Sequence, residues 1–234
     1  LVFRRDALIR RDSLFTAITH RHTNRALYQA APPTPAQLHA VAEENVITSA
    51  DSRLLAKIRP LAVRAMTTET LTNRTYMESV RLMRIGAAEM DAVPDGLPIG
   101  GPGVEAFQAI GMIDHNQIAD PNSSAFKMGL KQVQDSCGSI PAVIWITTPG
   151  NTRAEQLDAG RRYVRAQLRA TSLGLSMHPL SQALQEYPEM TADFGQIHRL
   201  LGATGSERVQ MLARIGTAPP TLPAPRWPLD THLI

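Results

Sequence analysis

The sequence predicts an α+β fold in which helices pack around a small mixed β-sheet, with all 234 residues in a single domain. Two apolar runs predict strands of that sheet. Pro141–Thr148 is continuously apolar, which is typical of a central strand covered on both faces, and Gln210–Gly216 is the second such run. Stretches with apolar residues at helical spacing lie before and between these strands, and they predict the surrounding helices.

Composition limits the class of protein. A hydrophobic content of 43% and a charged content of 19% are typical of a folded globular chain. The net charge of +3 is too small, and the aromatic content of 5% too low, to indicate a nucleic-acid-binding surface. Cys137 is the single cysteine, so no intrachain disulfide can form, and no ligand set with metal-binding spacing surrounds it. No apolar run approaches the roughly 20 residues that span a bilayer, so we expect no membrane partner and a cytoplasmic protein.

The first part of the chain predicts a lead-in and a short helix. Residues 1–11 mix arginines with apolar residues and predict a strand or linker, and the polar residues after Arg4-Arg5 exclude a twin-arginine signal. Because the chain starts at Leu1 rather than Met, we expect a processed or truncated form of a longer protein. Asp12 or Ser13 is the predicted N-cap of a helix that ends at about His20.

The next 70 or so residues are predicted to be mostly helical, because apolar positions recur at helical spacing behind recognisable caps. Proline at a first helical position and Asp or Ser at an N-cap mark where these helices begin. The predicted elements are a helix over 36–44 that begins after Pro35, a strand over 45–49, a helix capped by Asp51 or Ser52 with apolar residues from Leu54 to Ala65 and a kink or break at Pro60, and a helix over 73–90.

The middle of the chain, from about residue 91 to 137, is predicted to be a lid-like insertion. It begins with the irregular loop Val93–Pro102 and continues with a stretch rich in Met and polar residues. The glycines of residues 100–103 resemble a dinucleotide-binding fingerprint only superficially, because no strand precedes them and Pro102 interrupts them. Long insertions of this kind in compact domains are often functional or mobile.

The C-terminal part alternates strands and helices. Thr152 and Glu155 form a predicted capping box for a long helix, and Gly174 ends it. The predicted elements are a helix to Ser172 with Leu157, Val164, Leu168 and Thr171 on one face, an extended segment over 175–178, a helix from Pro179–Gln182 to Glu186, a helix over 190–201, the strand over 210–216, and an extended tail over 217–234.

A cluster of basic residues, Arg21-His22-Thr23-Asn24-Arg25, follows the first predicted helix. Two arginines four residues apart with a hydroxyl between them can hold a phosphate group, because guanidinium groups make paired hydrogen bonds to phosphate oxygens. The alternative is an exposed, solvated helix end. The cluster alone does not decide between them.

Four segments in this order resemble the nitroreductase-like FMN flavoproteins, and together they span nearly the whole chain. They are Arg21–Arg25, the passage from Ala170 to Gln182, the strand Met211–Gly216, and the tail Pro223–Leu229. The Arg-x-Thr-Asn-Arg form and the long middle insertion look most like the tandem, Acg-type branch, in which two degenerate halves share one polypeptide. The family segment that packs against the flavin from the neighbouring half is absent, since Trp145 and Trp227 lie in other contexts. The chain therefore resembles the C-terminal half, and we expect it to pair with itself or with an N-terminal half.

The resemblance implies an FMN site and a role for each matching residue. Arg21 and Thr23 would hold the phosphate and ribityl chain, His22 between them would belong to the same cofactor-binding set, and Arg226 would close on the phosphate. Arg25 would approach N1 and O2 of the flavin. Pro179, Leu180, Ser181 and Gln182 would run beside the ring, with the N–H of Ser181 or Gln182 directed at N5. No separate catalytic residue is implied, because hydride passes through flavin N5.

The residues also allow simpler interpretations. Thr23 can cap a turn, Arg226 can be a solvated charge of the tail, and Arg214 can be a charge at a sheet edge without a ligand. His22 and His178 can be packing or surface histidines, and Ser181 can cap a helix.

The implied function is a reductase that takes hydride from NADPH or NADH and passes it to a small-molecule oxidant, a nitroaromatic or a quinone. The alternative is a protein that sequesters FMN without turnover, which the insertion would produce if it covered the flavin. A third possibility is a dimerising scaffold without flavin.

Overall fold

The computed structural model describes Asp6, residues 8–221 and residues 223–233 of the chain. Nine α-helices and six strands lie in these residues, together with four short 3-10 turns. The helices are α1 Pro35–Ala42, α2 Ser52–Leu71, α3 Asn73–Leu82, α4 Gly86–Ala92, α5 Pro102–Ala109, α6 His115–Ala119, α7 Ser124–Gly138, α8 Arg153–Ser172 and α9 Thr191–Leu200. The strands are β1 Ile47–Ser49, β2 Met83–Ile85, β3 Leu97–Ile99, β4 Ala142–Thr148, β5 Ser176–Pro179 and β6 Arg208–Gly216.

The main sheet has four strands in the order β1-β4-β6-β5, and each neighbouring pair is antiparallel. A single parallel bridge joins Thr23 to Met177 on β5. A separate pair of short strands, β2 and β3, is parallel. This arrangement of helices around a small sheet confirms the predicted α+β class.

The core lies on both faces of β4, as the apolar run predicted. Val143 and Trp145 pack with α2, α7 and α9, whereas Ile144 and Ile146 pack with α1 and α8. Alternate residues of a strand point to opposite faces, so a strand buried on both sides must be apolar throughout. Each fully buried aliphatic side chain contributes about 1.5–3 kcal/mol relative to exposure.

The predicted helix caps at Asp51 and Thr152 are confirmed, and Thr34 is a further cap that the sequence analysis did not predict. The Thr34 and Thr152 side chains form capping boxes with Gln37 and Glu155, and the Asp51 carboxylate accepts a hydrogen bond from the Leu54 N–H at 2.7 Å. The apolar face predicted for α2 is also confirmed, since its residues from Leu55 to Ala65 at helical spacing are buried. These caps satisfy N–H groups that a helix leaves without internal partners.

Two predicted helices are wrong in extent near the start of the chain. The segment from Asp12 to His20 forms only a 3-10 turn over Phe15–Ala17. The helix predicted over 73–90 is interrupted after Leu82, because residues 83–85 form β2 and pair with β3. Gly86 then takes a φ of 74°, a backbone conformation that glycine adopts at no steric cost.

Three other expectations need correction. Pro60 does not break α2, which runs from Ser52 to Leu71, because the buried face on either side holds the helix together. The helix predicted from Pro179 to Glu186 is a 3-10 turn over Gln182–Leu184. On α8 the buried residues are mostly small, and they include Ala159, Ala166 and Ala170, whereas Leu157 and Val164 are each 49% exposed. Small side chains let this helix lie close to the sheet.

Residues 91–137 contain the end of α4, all of β3, α5 and α6, and all but the last residue of α7. Within them, α7 packs on α2, and its Phe126 and Cys137 are buried. The predicted lead-in at residues 1–11 lies mostly outside the described residues, and its described part forms no strand. In the described part of the tail the regular element is a 3-10 turn over Leu229–His232. None of the described helices has the length and apolar character needed to cross a bilayer.

Candidate functional site

The segment Arg21–Arg25 lies against the outer edge of β5. Thr23 forms the parallel bridge with Met177, and the Asn24 N–H donates to the Met177 carbonyl at 3.2 Å. Residues far apart in the sequence, the basic cluster and the passage into Gln182, are therefore neighbours. Sequence reasoning predicted these two segments as parts of one site, and the sheet edge brings them together.

Asn24 fixes the shape of this segment, and sequence reasoning gave it no role. Its side chain is 2% exposed. The amide nitrogen donates to the Pro219 carbonyl at 2.7 Å and to the Ser176 hydroxyl at 3.3 Å, and the amide oxygen accepts from the Ala26 N–H at 3.0 Å. Asn is favoured where a side chain must hydrogen-bond backbone two residues further on, and that preference was the available signal.

The side chains of Arg21 and Arg25 have no carboxylate partner among the described residues. One guanidinium nitrogen of Arg21 donates to the Gln167 side-chain oxygen at 3.1 Å, and Gln167 in turn donates to the His22 carbonyl at 3.3 Å. Arg25 is exposed. Two cations without compensating acids leave this edge of the sheet electropositive, which favours an anionic ligand.

The polar side chains of His22, Thr23 and the neighbouring Tyr163 differ in whether they already have hydrogen-bond partners within the described residues. The Nδ1 atom of His22 lies 3.0 Å from the carbonyl of His20, so this ring faces its own backbone. The Thr23 hydroxyl makes no hydrogen bond within the described part of the chain and is half-buried. Tyr163, on α8, has a buried hydroxyl without a described partner, and burial raises its pKa to about 12 against the opposing charge of Arg21.

The chain after β5 presents two unused backbone donors. Pro179 ends β5 opposite Ala213, and the Leu180 N–H donates to the Leu212 carbonyl at 2.8 Å while its side chain is buried in the core. The N–H groups of Ser181 and Gln182 have no acceptor among the described residues. Leu180 can therefore offer a ligand no side-chain contact, whereas the next two residues can each offer a backbone hydrogen bond.

Arg226 lies in a different place from the other predicted residues. It is exposed, one of its guanidinium nitrogens donates to the Pro225 carbonyl at 2.7 Å, and it lines an open cleft of about 500 Å³ formed by the tail and the residues around α4. Trp227 beside it donates to the Asp95 carboxylate at 3.2 Å. Its described contacts include neither the basic cluster nor β5.

Arg214, on β6, is fully buried, which the sequence did not predict. It pairs with His178 across β6 and β5, and its guanidinium lies 4.0 Å from the centre of the Tyr28 ring. The charge has no carboxylate partner in the described structure. Its partners are the Ser136 carbonyl and hydroxyl, the Ser139 carbonyl and hydroxyl, the Ala26 carbonyl and the His178 ring.

The C-terminal end of α7 offsets part of the Arg214 charge. The carbonyls of Ser136 and Ser139 belong to the last turn and the cap of that helix, where unpaired carbonyls carry a partial negative charge. The Ala26 carbonyl belongs to the segment after Arg25. Arg214 therefore joins the end of the insertion, strands β5 and β6, and the basic segment.

Neighbouring titratable groups respond to this buried cation and to burial itself. Burial, together with the smaller effects of the Arg214 and Arg25 charges, lowers the pKa of His178 to about 3. Burial also raises the pKa of the Cys137 thiol to about 11 and raises the pKa of Tyr28, against the opposing charge of Arg214. The described residues contain no cluster of acidic, His or Cys side chains suited to a metal ion.

The fold is that of the nitroreductase-like proteins. An FMN-dependent nitroreductase of Mycobacterium smegmatis, in complex with NADPH, superposes with a TM-score of 0.56 at 17% identity over 93% of this chain and 95% of that one. A nitroreductase of Desulfitobacterium hafniense with bound FMN gives 0.56 at 15% identity over 96% and 98%. A nitroreductase of Bacteroides fragilis with bound FMN gives 0.54 at 12% identity over 96% and 99%.

The likeness lies in the structure rather than in the sequence. The sequence matches no protein-family model and no curated protein. At these sequence identities the superpositions define the fold class. They do not define a ligand or an activity, because one fold can host many functions.

Proposed function

We propose that the chain binds FMN along the edge of β5 and acts as a flavin-dependent oxidoreductase. The observation that carries the proposal is the parallel bridge between Thr23 and Met177, which sets the basic segment beside the exit of β5. Arg21 and Arg25 bring uncompensated charge, and Ser181 and Gln182 bring unused N–H groups. This donor set fits a phosphate-bearing planar ligand that accepts hydrogen bonds along one edge.

Each residue would contribute binding or orientation. Arg21 and the Thr23 hydroxyl would hold the phosphate and ribityl chain, and Arg25 would stabilise negative charge near N1 and O2. The Ser181 or Gln182 N–H would orient the ring at N5. FMN, when bound, supplies the hydride transfer between NADPH or NADH and a nitroaromatic or quinone. Proximity of donor and acceptor on one face would account for most of the rate.

The second candidate is FMN sequestration without turnover. It is favoured by the position of α7, because this last helix of the insertion ends in hydrogen bonds to Arg214 beside β5. An insertion anchored at the site can limit access of a second substrate. The resemblance to the tandem, Acg-type branch is included in this proposal, because a degenerate half can also block access of a substrate.

We also propose that a second chain completes the site, either another copy or an N-terminal half. Leu27 follows the basic cluster and is 58% exposed, and Met128 on α7 is 48% exposed. Both line an open groove of about 280 Å³ together with Lys131, Gln132 and Asp135. Apolar side chains exposed beside a proposed ligand site are typical of a surface that a partner covers.

One preparation tests the proposal. Purified protein should show the visible absorption of bound FMN, and addition of NADPH or NADH without oxygen should bleach it if the protein is a reductase. Bound FMN that neither nicotinamide reduces would favour sequestration. Protein that is colourless and takes up no added FMN would refute both.

A further inference from the structure

Arg214 and His178 form a buried cross-strand pair in which every guanidinium donor is used. The Arg214 Nε atom lies 3.1 Å from His178 Nδ1. Its Nη1 atom donates to Ser136 and Ser139, and its Nη2 atom donates to the Ala26 carbonyl and the Ser136 hydroxyl. The guanidinium therefore has no freedom to turn, and its contact with the histidine ring is fixed.

This contact determines where the histidine carries its proton. A guanidinium only donates hydrogen bonds, so His178 Nδ1 must be the unprotonated, accepting nitrogen. A neutral ring then carries its proton on Nε2. A second proton, on Nδ1, would bring the His178 Nδ1–H and the Arg214 Nε–H into a repulsive contact that is shielded from water. Burial first, and then the charges of Arg214 from β6 and Arg25 from the basic segment, hold the pKa of the ring far below neutrality.

The Nε2–H group of His178 has no acceptor among the described residues. It lies on the side of the ring away from Nδ1 and hence away from Arg214. The residue is 9% exposed, and Nε2 is not one of the fully buried polar atoms without a partner. It therefore keeps access to the outside, on the residue that precedes Pro179 and within range of the Arg25 charge. An N–H group in such a place needs an acceptor from solvent or from a ligand.

We propose that His178 is a specificity-determining residue of this site, in which the fixed, neutral Nε2–H donates a hydrogen bond to the flavin O2 carbonyl beside Arg25. This inference rests on the proposed function. The fixed tautomer presents a donor and no acceptor, so it favours the carbonyl part of the pyrimidine edge over its N3–H. Arg214 acts through the ring and is a positioning residue.

Two substitutions separate this role from simple packing. His178→Asn keeps an acceptor close to the position of Nδ1 and loses the outer donor, whereas His178→Gln places an amide N–H close to Nε2 and loses the inner acceptor. We expect His178→Asn to fold and to bind FMN roughly 3- to 10-fold more weakly than the unsubstituted protein, as loss of one hydrogen bond implies. We expect His178→Gln to retain most of the affinity.

The measurement is a titration of FMN-free protein with FMN, 2-thio-FMN and 4-thio-FMN, followed by flavin fluorescence. Sulfur is a poorer acceptor than oxygen, so the effect of His178→Asn should shrink for 2-thio-FMN and persist for 4-thio-FMN. In ¹⁵N NMR of histidine-labelled protein, His178 should show a protonated Nε2 and a bare Nδ1 from pH 5 to 8. Addition of FMN should shift the Nε2 signal.

The outcomes distinguish the two levels of the proposal. Unsubstituted protein that takes up no FMN overturns the proposed function and the role of His178 with it. Unsubstituted protein that binds FMN, together with folded His178→Asn of equal affinity for all three flavins, overturns only the role of His178 and leaves it as a buried partner of Arg214. A signal from a protonated Nδ1 in the free protein overturns the tautomer assignment itself.

Discussion

Arg214 is the residue on which the geometry of the site depends most. It holds the segment after Arg25 through the Ala26 carbonyl and holds the end of α7 through Ser136 and Ser139. The sequence interpretation treated it as a possible sheet-edge charge, but it is fully buried. The hydrophobic pattern of the sequence cannot predict that this arginine is buried. Its burial depends on hydrogen-bond acceptors contributed by segments that are distant in the sequence.

Replacing Arg214 by Lys should destabilise the fold. Lysine offers three donors at one point and cannot reach acceptors on three segments, so several buried carbonyls would lose their partners. We expect a loss of about 2–4 kcal/mol in the free energy of unfolding, measured with urea. Arg161→Lys, at an exposed position of α8, is the control and should change stability by less than about 0.5 kcal/mol. Equal effects of the two substitutions would mean that the Arg214 network contributes little.

His178 should make stability depend on pH in one direction. Its pKa in the folded protein is about 3, far below the ordinary value of 6.5, so between these values the unfolded chain binds a proton that the folded protein does not. Stability from this residue is complete above pH 6.5 and falls on acidification, by at most about 1.4 kcal/mol per pH unit. The free energy of unfolding, measured from pH 7.5 to 4.5, should fall less steeply in His178→Asn. Parallel curves for the two proteins would contradict the assigned pKa.

At the scale of elements, the basic segment belongs to the sheet through backbone contacts with β5 and through Asn24. Strands β4 and β6, the long helices α2 and α8 and the caps of these two helices could be predicted because local periodicity and capping chemistry determine them. Helix α7 was not predicted, although Ser123 caps it. Strands β2 and β3 and the short 3-10 turns could not, because their formation depends on pairing and packing partners distant in the sequence. The 3-10 turn over Phe15–Ala17 replaced a predicted helix for that reason.

Removing the Asn24 side chain should loosen two elements together. Asn24→Ala loses the hydrogen bonds to Ser176, Pro219 and Ala26, and it leaves a buried carbonyl and N–H without partners. We expect faster amide hydrogen exchange in residues 24–28 and 217–221, measured by mass spectrometry, while β4 is unchanged. Asn122→Ala, in an exposed turn, is the control. Exchange confined to residue 24 itself would show that the side chain does not tie the tail to the basic segment.

At the scale of the whole molecule, the predicted site residues fall into two groups. The basic segment contacts Ser176 and Met177 of β5, the strand that ends at Pro179, whereas Arg226 lies in the cleft beside α4. The resemblance, carried by the order of these segments along the sequence, predicted that the first group forms one site, and that assignment stays a prediction. The position of a proline-rich tail depends on the surface against which it packs. The local sequence of the tail does not predict that surface.

Pairing of chains should depend on the apolar groove beside Arg25. A charge in a covered apolar contact is costly, so Leu27→Glu combined with Met128→Glu should convert a two-chain assembly into single chains. Native mass spectrometry or gel filtration with light scattering measures this. Leu229→Glu, in the exposed turn of the tail, should leave the assembly unchanged. An unaltered mass in the groove variant would place the pairing surface elsewhere, and a single chain fully loaded with FMN would contradict the need for a partner.

FMN titration of the protein and of Arg21→Ala combined with Arg25→Ala tests the central claim most directly. If these two cations hold the phosphate and the pyrimidine edge, the double variant should bind FMN at least about 100-fold more weakly, since hydrogen bonds to charged groups are each worth about 1.5–3 kcal/mol. Its binding of riboflavin, which lacks the phosphate, should fall less. Arg53→Ala combined with Arg161→Ala, at exposed helical positions, is the matched control. Equal FMN affinity of the double variant and the unsubstituted protein would show that the site at the edge of β5 is wrongly assigned.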